Sequence, residues 1–192
     1  MNSAQPIKVS AKKSKSLNPR ICQGDIFTDI EIIESLEVNG SKVIVKKLQF
    51  PYVVCLNQEC DLERDFNCST SKDIKLLHIA IAPAFNFEDF LSGTHWAGIF
   101  DGNLTSKRKE TKSGLIMDNE IQRYHYIRFS EPGMPELVVD FKHFFTINRN
   151  LLYKDIGKRL CSLDDLFKEK LSQRFSNFIS RIGLPDEMEQ VA

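Results

Sequence analysis

Apolar residues recur among acids along residues 26–38, where Ile26, Ile30, Ile32, Ile33 and Leu36 hold partial two-residue alternation. That period suits a strand with one covered face. Asn39-Gly40 follows, and then the run Lys42-Val43-Ile44-Val45-Lys46-Lys47-Leu48. Asn-Gly between two such runs predicts a hairpin, because both residue types accept positive φ. Pro51 is expected to interrupt the pairing, after which Tyr52-Val53-Val54-Cys55-Leu56 reads as a buried strand. Residues 76–82 form another apolar run, with Pro83 as its expected stop. Across residues 85–100 the pattern loosens into Phe87, Phe90, Leu91, Trp96 and Phe100, and Asn86 is placed to cap a short helix. A polar loop is expected over 101–114. Short strands should then cover 123–129, 137–141 and 144–148, with Pro132-Gly133 and Pro135 marking the first turn.

The period changes to three and four near the C-terminus. Leu163, Leu166, Phe167, Leu171, Phe175, Phe178, Ile179 and Ile182 fall on one helical stripe, with Lys168, Lys170, Arg174 and Asn177 largely off it. Ser162 begins a Ser-Leu-Asp-Asp start close to a capping box, and Gly183 with Pro185 supplies a stop. The pattern predicts an α+β protein: a β-rich body closed by one amphipathic helix that packs on it.

Composition narrows the partners. Lysine plus arginine balances aspartate plus glutamate at 26 each, so the whole protein is not a strongly basic nucleic-acid binder. The 14 phenylalanines require an interior or a partner surface to cover them. No run approaches the roughly 18 apolar residues of a membrane span, and no secretory signal opens the chain, so a cytoplasmic protein without a membrane partner is expected. The five cysteines, Cys22, Cys55, Cys60, Cys68 and Cys161, include no Cys-x-x-Cys pair and read as reduced thiols. Residues 1–20 carry Lys8, Lys12, Lys13, Lys15 and Arg20 with no acid and few apolar residues. They are expected to be a mobile basic arm, drawn to phosphates or simply solvated, ahead of one globular domain over 21–192.

Chemistry is sparse. Gln58-Glu59-Cys60-Asp61 leaves a buried strand, a place where rigid scaffolds present functional loops. Two carboxylates disfavour a thiolate at Cys60, which argues against a nucleophile there. Glu59 and Asp61 could hold a cation or accept loop hydrogen bonds, or the segment is a structural turn with Cys60 packed inward. Cys60, Cys68, His78, His95, His125 and His143 lack the tight ligand spacing of zinc sites, so neither metal nor cofactor is expected. Arg123, Tyr124, Tyr126, Arg128 and Lys142, with Lys107, Arg108 and Lys109, interleave rings and cations. They form a candidate RNA or DNA surface if the rings stack on bases, or ordinary core aromatics with snorkelling cations. Phosphate loops, nucleophile elbows and metalloprotease helices are absent from the sequence.

The order of motifs resembles the small SH3-like barrels of the MazF/PemK toxin family. The likeness rests on Gly24-Asp25-Ile26-Phe27, on Pro51-Tyr52-Val53-Val54-Cys55-Leu56-Asn57, on Leu77-His78-Ile79-Ala80-Ile81-Ala82-Pro83, and on residues 138–147 followed by the helix. Residues 85–122 look inserted. The ribonucleases of that family use an Arg before the Pro strand and a Ser or Thr after the third strand. Phe50 and Pro83-Ala84 stand there instead. The chain also resembles a loosely defined bacterial set that shares Gly-Asp-Ile-Phe, Cys60-Asp61-Leu62, Leu171-Ser172-Gln173-Arg174-Phe175 and Arg181-Ile182-Gly183-Leu184-Pro185. Together these resemblances imply an SH3-like barrel with an inserted segment. The second implies an accessory protein of a toxin or phage-defence assembly, with a protein partner and capable of forming oligomers, and the missing catalytic patterns, abundant aromatics and basic arm point to a non-catalytic binding module within it. A divergent endoribonuclease is the alternative.

Overall fold

The computed structural model describes residues 7–13, 17–68, 75–99 and 113–181. The hairpin forms where Asn-Gly predicts it: β2 (Asp25–Asn39) returns as β3 (Lys42–Cys55), with Asn39 opposite Lys42. Only Gly40 of the turn residues has positive φ, +62°, the pattern of a II′ turn. Pro51 does not end β3. It faces Asp29, whose φ is +53°, and the pair skips one rung there. Before this kink Phe27 and Val53 enter one core cluster; beyond it Ile30, Phe50 and Leu48 enter the same cluster, so the kink changes which alternate residues point inward.

The remaining elements are α1 (Glu59–Cys68), β4 (His78–Asn86), α2 (Phe87–Ser92), α3 (Ser113–Met117), β5 (Tyr124–Ile127), β6 (Leu137–Asp140), β7 (Phe145–Asn148), α4 (Arg149–Lys154), β8 (Arg159–Leu163) and α5 (Asp165–Ile179), with β1 (Ala11–Lys13) preceding the hairpin. All named strands pair antiparallel in one curled sheet of order β1-β8-β2-β3-β4-β6-β5, with β7 also on β4. Pro83 does not stop β4. The strand pairs β7 through Ile81 and β6 from Ala84, and Pro83 falls at the changeover, where that side has no neighbouring ladder to interrupt. Asn86 caps α2 as its position predicts: its side-chain oxygen accepts from Glu88 N at 2.9 Å.

The expectation of a mobile N-terminal arm is corrected for the described part of 1–20. Ala11, Lys12 and Lys13 pair with Leu163, Ser162 and Cys161, and Val9 bridges to Phe129 beyond β5. Val9 and Ala11 are buried. The two ends of the sheet order are thereby joined, which gives the sheet its barrel-like curl. Sparse apolar residues suffice here because alternate positions 9 and 11 are the ones that face inward.

The C-terminal helix is shorter than its stripe predicts. Ser162 and Leu163 are the end of β8, and α5 begins after Asp164. Leu163 N donates to Gly24 O, so sheet pairing claims the residues that the capping pattern assigns to the helix. Leu171 and Phe178 are buried and Phe167 and Phe175 pack partly on the core, whereas Leu166 is 72% and Ile179 55% exposed. Ile182, Gly183 and Pro185 lie outside the described residues. The helix covers the interior cluster of the curled sheet, built on Ile26, Val54, Val139 and Phe141. The other face is covered by Leu62 of α1, Leu152 of α4 and Trp96. No helix among the described residues is long and apolar enough to cross a membrane.

Candidate functional site

The loop singled out at 58–61 is the entry to α1. Asp61 N and Leu62 N both donate to Gln58 O at 3.2 Å, which starts the helix, and Glu59 and Asp61 place negative charge in the first turn. Cys60 is exposed and its Sγ lies 3.8 Å from Gln58 Oε1, so it is not packed inward. Asp61 is exposed as well. The carboxylate that organises this region is Asp65, one turn on. Its Oδ1 accepts from Lys75 N and Leu76 N at 3.2 and 3.0 Å, and its Oδ2 pairs with Arg149.

Glu59 alone of the four belongs to a larger constellation. Its Oε1 meets Arg20 at 2.6 Å and its Oε2 accepts from Gln23 N at 2.8 Å. Beside it opens a cleft of about 500 Å³ whose walls include Arg20, Cys22, Asp25, Glu59, Arg159 and Lys168. Asp25 is fully buried at its floor. Asp25 Oδ2 accepts from Arg159 Nη1 at 2.7 Å and from Cys22 N at 2.8 Å. Arg159 also donates to Arg20 O and Asn18 O, so one guanidinium ties the chain before β2 to β8. Gly24 lets this happen. Its φ is +72°, and a Cβ there would lie 3.0 Å from Lys168 Cγ and 3.2 Å from Leu163 Cβ.

Burial raises the carboxyl of Asp25 above the ordinary aspartate range, against the lowering influence of Arg159. Burial, then Asp25 and Glu59, push the Cys22 thiol up to about 11, so it is a thiol and not a thiolate near neutrality. Cys161 is pushed up to about 12, chiefly by burial. The cleft therefore offers charge and hydrogen bonds, and its Cys22 is not an activated thiolate. No group of three or more metal-ligating side chains occurs among the described residues.

The candidate nucleic-acid surface is not a surface at its rings. Tyr124 and Tyr126 are 7% and 3% exposed. The Tyr126 ring meets Phe87 at 5.0 Å and its hydroxyl donates to Glu136 at 2.7 Å, while Tyr124 meets Phe90 at 4.9 Å. Helix α2 and Ile116 of α3 roof this side of the sheet, so strand β5 is covered on both faces. Arg123 is bidentate on Asp140 at 2.8 and 2.6 Å, and Arg128 pairs with Glu136 at 3.1 Å. Lys142 is exposed, and Lys107, Arg108 and Lys109 lie outside the described residues.

A second feature escapes motif reading. Past the kink, β2 and β3 leave the sheet as a two-stranded ribbon. Leu36 pairs with Val45 and Val38 with Val43, so these four side chains share one face, and they are 62, 44, 74 and 61% exposed in that order. Ile33, opposite Lys47, extends the same face. Against known proteins, no family model and no curated protein matches this chain.

Proposed function

We propose that this chain is a non-catalytic binding module, an accessory component of a bacterial toxin or phage-defence assembly. The observation that carries the binding reading is the ribbon: four large aliphatic side chains held in register on one face, projecting into solvent. Contiguous exposed apolar surface of this kind marks an interaction site. The protonated thiols of Cys22 and Cys161 support the non-catalytic part. The assembly rests on the resemblance of the bacterial motifs, and the curled antiparallel sheet is compatible with the SH3-like barrel that the resemblance implies.

The test has two arms. The native protein, with and without a Leu36→Lys substitution, is used to capture proteins from its own cells. Capture that depends on Leu36 supports the module. The same protein is incubated with mixed single-stranded RNA, with and without divalent metal, and no cleavage is expected. The cleft favours one rival reading, a divergent endoribonuclease, because Arg20 and Lys168 could hold a phosphodiester beside the carboxylate of Glu59. Cleavage abolished by Glu59→Gln would establish that reading in place of the first.

A further inference from the structure

We propose that the cleft beside Glu59 is a binding site for a small phosphate monoester, of the size and polarity of a sugar phosphate. The site lies apart from the ribbon and does not depend on it. Its cations come from segments far apart in the chain: Arg20 ahead of β2, Arg159 on β8, Lys168 on α5 and Lys12 on β1. Three carboxylates share the cleft with them. Two of these are already held, Asp25 by Arg159 and Cys22 N, and Glu59 by Arg20 and Gln23 N. The third, Asp165, has a side chain that is 91% exposed.

Two of the cations have a donor left over. Arg159 uses its terminal nitrogens on Asp25, Arg20 O and Asn18 O, yet its Nε is buried without a hydrogen-bond partner among the described residues. Arg20 gives Nη2 to Glu59, and its Nη1 is likewise buried without a partner there. A buried cationic donor without an acceptor costs free energy, and an oxyanion is the acceptor that suits it best. Lys168 supplies the third donor. Its side chain is only 15% exposed, although its ion-pair partner Asp165, at 3.5 Å, stands in solvent. Lysine is seldom buried to that degree without a close counter-charge. Gly24 makes room for it, because a Cβ there would lie 3.0 Å from Lys168 Cγ. Burial, Asp25 and Glu59 outweigh the lowering influence of Arg20 and Lys168 on the Cys22 thiol, so both cations lie within electrostatic reach of one wall residue.

The chemistry of the ligand follows from the donors and the space. Donors from three separate segments suit a group with three acceptor oxygens, which a phosphate monoester offers and a carboxylate or phosphodiester does not. The cleft, at about 500 Å³, is roomier than a bare phosphate needs and fits a small organic ligand. Among the described residues no aromatic side chain lines it, so nothing there stacks a base. Asn18 and Ser162 line it as well and suit hydroxyl groups. A phosphorylated sugar meets all of these conditions.

Calorimetric titration of the full chain with ribose phosphate, ribose, inorganic phosphate and single-stranded RNA, at fixed ionic strength, tests this. Ribose phosphate should bind saturably and about tenfold or more tightly than inorganic phosphate, and ribose should not bind. Lys168→Met keeps the stem over Gly24 and removes the charge, so it should weaken ribose phosphate by more than about tenfold. Arg20→Lys keeps the ion pair with Glu59 but loses the forked donor, and it should weaken binding too. It gives the same reading should Lys168→Met lower the melting midpoint. A wild type that does not bind ribose phosphate overturns the proposal, and so does binding indifferent to both substitutions. RNA bound through Lys168 in a protein that ignores ribose phosphate also overturns it, and gives the cleft to the ribonuclease reading. None of these results touches Leu36-dependent capture, so the binding-module reading stands or falls separately.

Discussion

Arg159 donates to Asp25 across 2.7 Å in a place where the two side chains are 6% and 0% exposed. The pair joins β8 to the first residue of β2, and through Arg20 O and Asn18 O it also holds the chain that leads into the sheet. Removing one partner of such a buried pair strands the other charge, which costs about 3–5 kcal/mol. Arg159→Met and Asp25→Asn should each destabilise by that order in urea melts. The double substitution should cost clearly less than the sum, the mark of direct coupling. Single losses under about 1 kcal/mol, the range of surface changes, would show that the pair does not hold these strands.

Deleting residues 1–13 should lower stability by about 3 kcal/mol or more. The deletion exposes the pocket of Val9, worth roughly 1.5–3 kcal/mol, and breaks the pairing of β1 with β8 and the Val9 bridge to Phe129. Thermal melts of the shortened protein decide the matter. An unchanged midpoint would mean the segment is not docked.

Acid sensitivity should trace to His125. It is buried beneath α5, near Arg174 and Lys170, and burial chiefly pulls its pKa down to about 3. The unfolded chain protonates this histidine near pH 6.5, while the folded chain does not, so folding stability is intact above about 6.5 and is lost as pH falls below it. Between about pH 7.5 and 5.5 the loss amounts to about 1.4 kcal/mol. Denaturant midpoints at the two pH values should therefore differ less in His125→Phe than in the wild type. An identical difference would refute the assignment.

Helix α5 should show a sharp split between neighbouring aliphatics. Leu171→Ala empties a fully buried site and should cost about 2–5 kcal/mol. Leu166→Ala, on the exposed side, should stay within about 0.5 kcal/mol. Equal losses at the two positions in chemical melts would mean that the helix packs on a different face.

Local chemistry was legible wherever neighbours in sequence settle the matter. The Asn39-Gly40 turn, the Asn86 cap, the alternating runs of β2 and β3, and the short strands near 124–127, 137–140 and 145–148 all follow from turn residues and period. Prolines misled because their cost depends on what lies beside them. Pro51 meets an αL aspartate, and Pro83 falls where β4 changes partner. Strand β8 was hidden by a helix-like start, since Ser162 and Leu163 satisfy a capping pattern and a strand register equally well. The tyrosines at 124 and 126 show the same limit: alternation places them on one face, but only the α2–α3 roof decides that the face is covered.

The sequence by itself determined an α+β chain with a strand-rich body, a tight hairpin and a closing amphipathic helix, because period and turn chemistry act over a few residues. Tertiary structure alone decided that a basic, apolar-poor N-terminus would become a strand, that Asp25 would meet Arg159, and that Leu36, Val38, Val43 and Val45 would stand in solvent. Each of those outcomes depends on partners far away in the chain. Burial is a property of what arrives from elsewhere, and no local pattern encodes it.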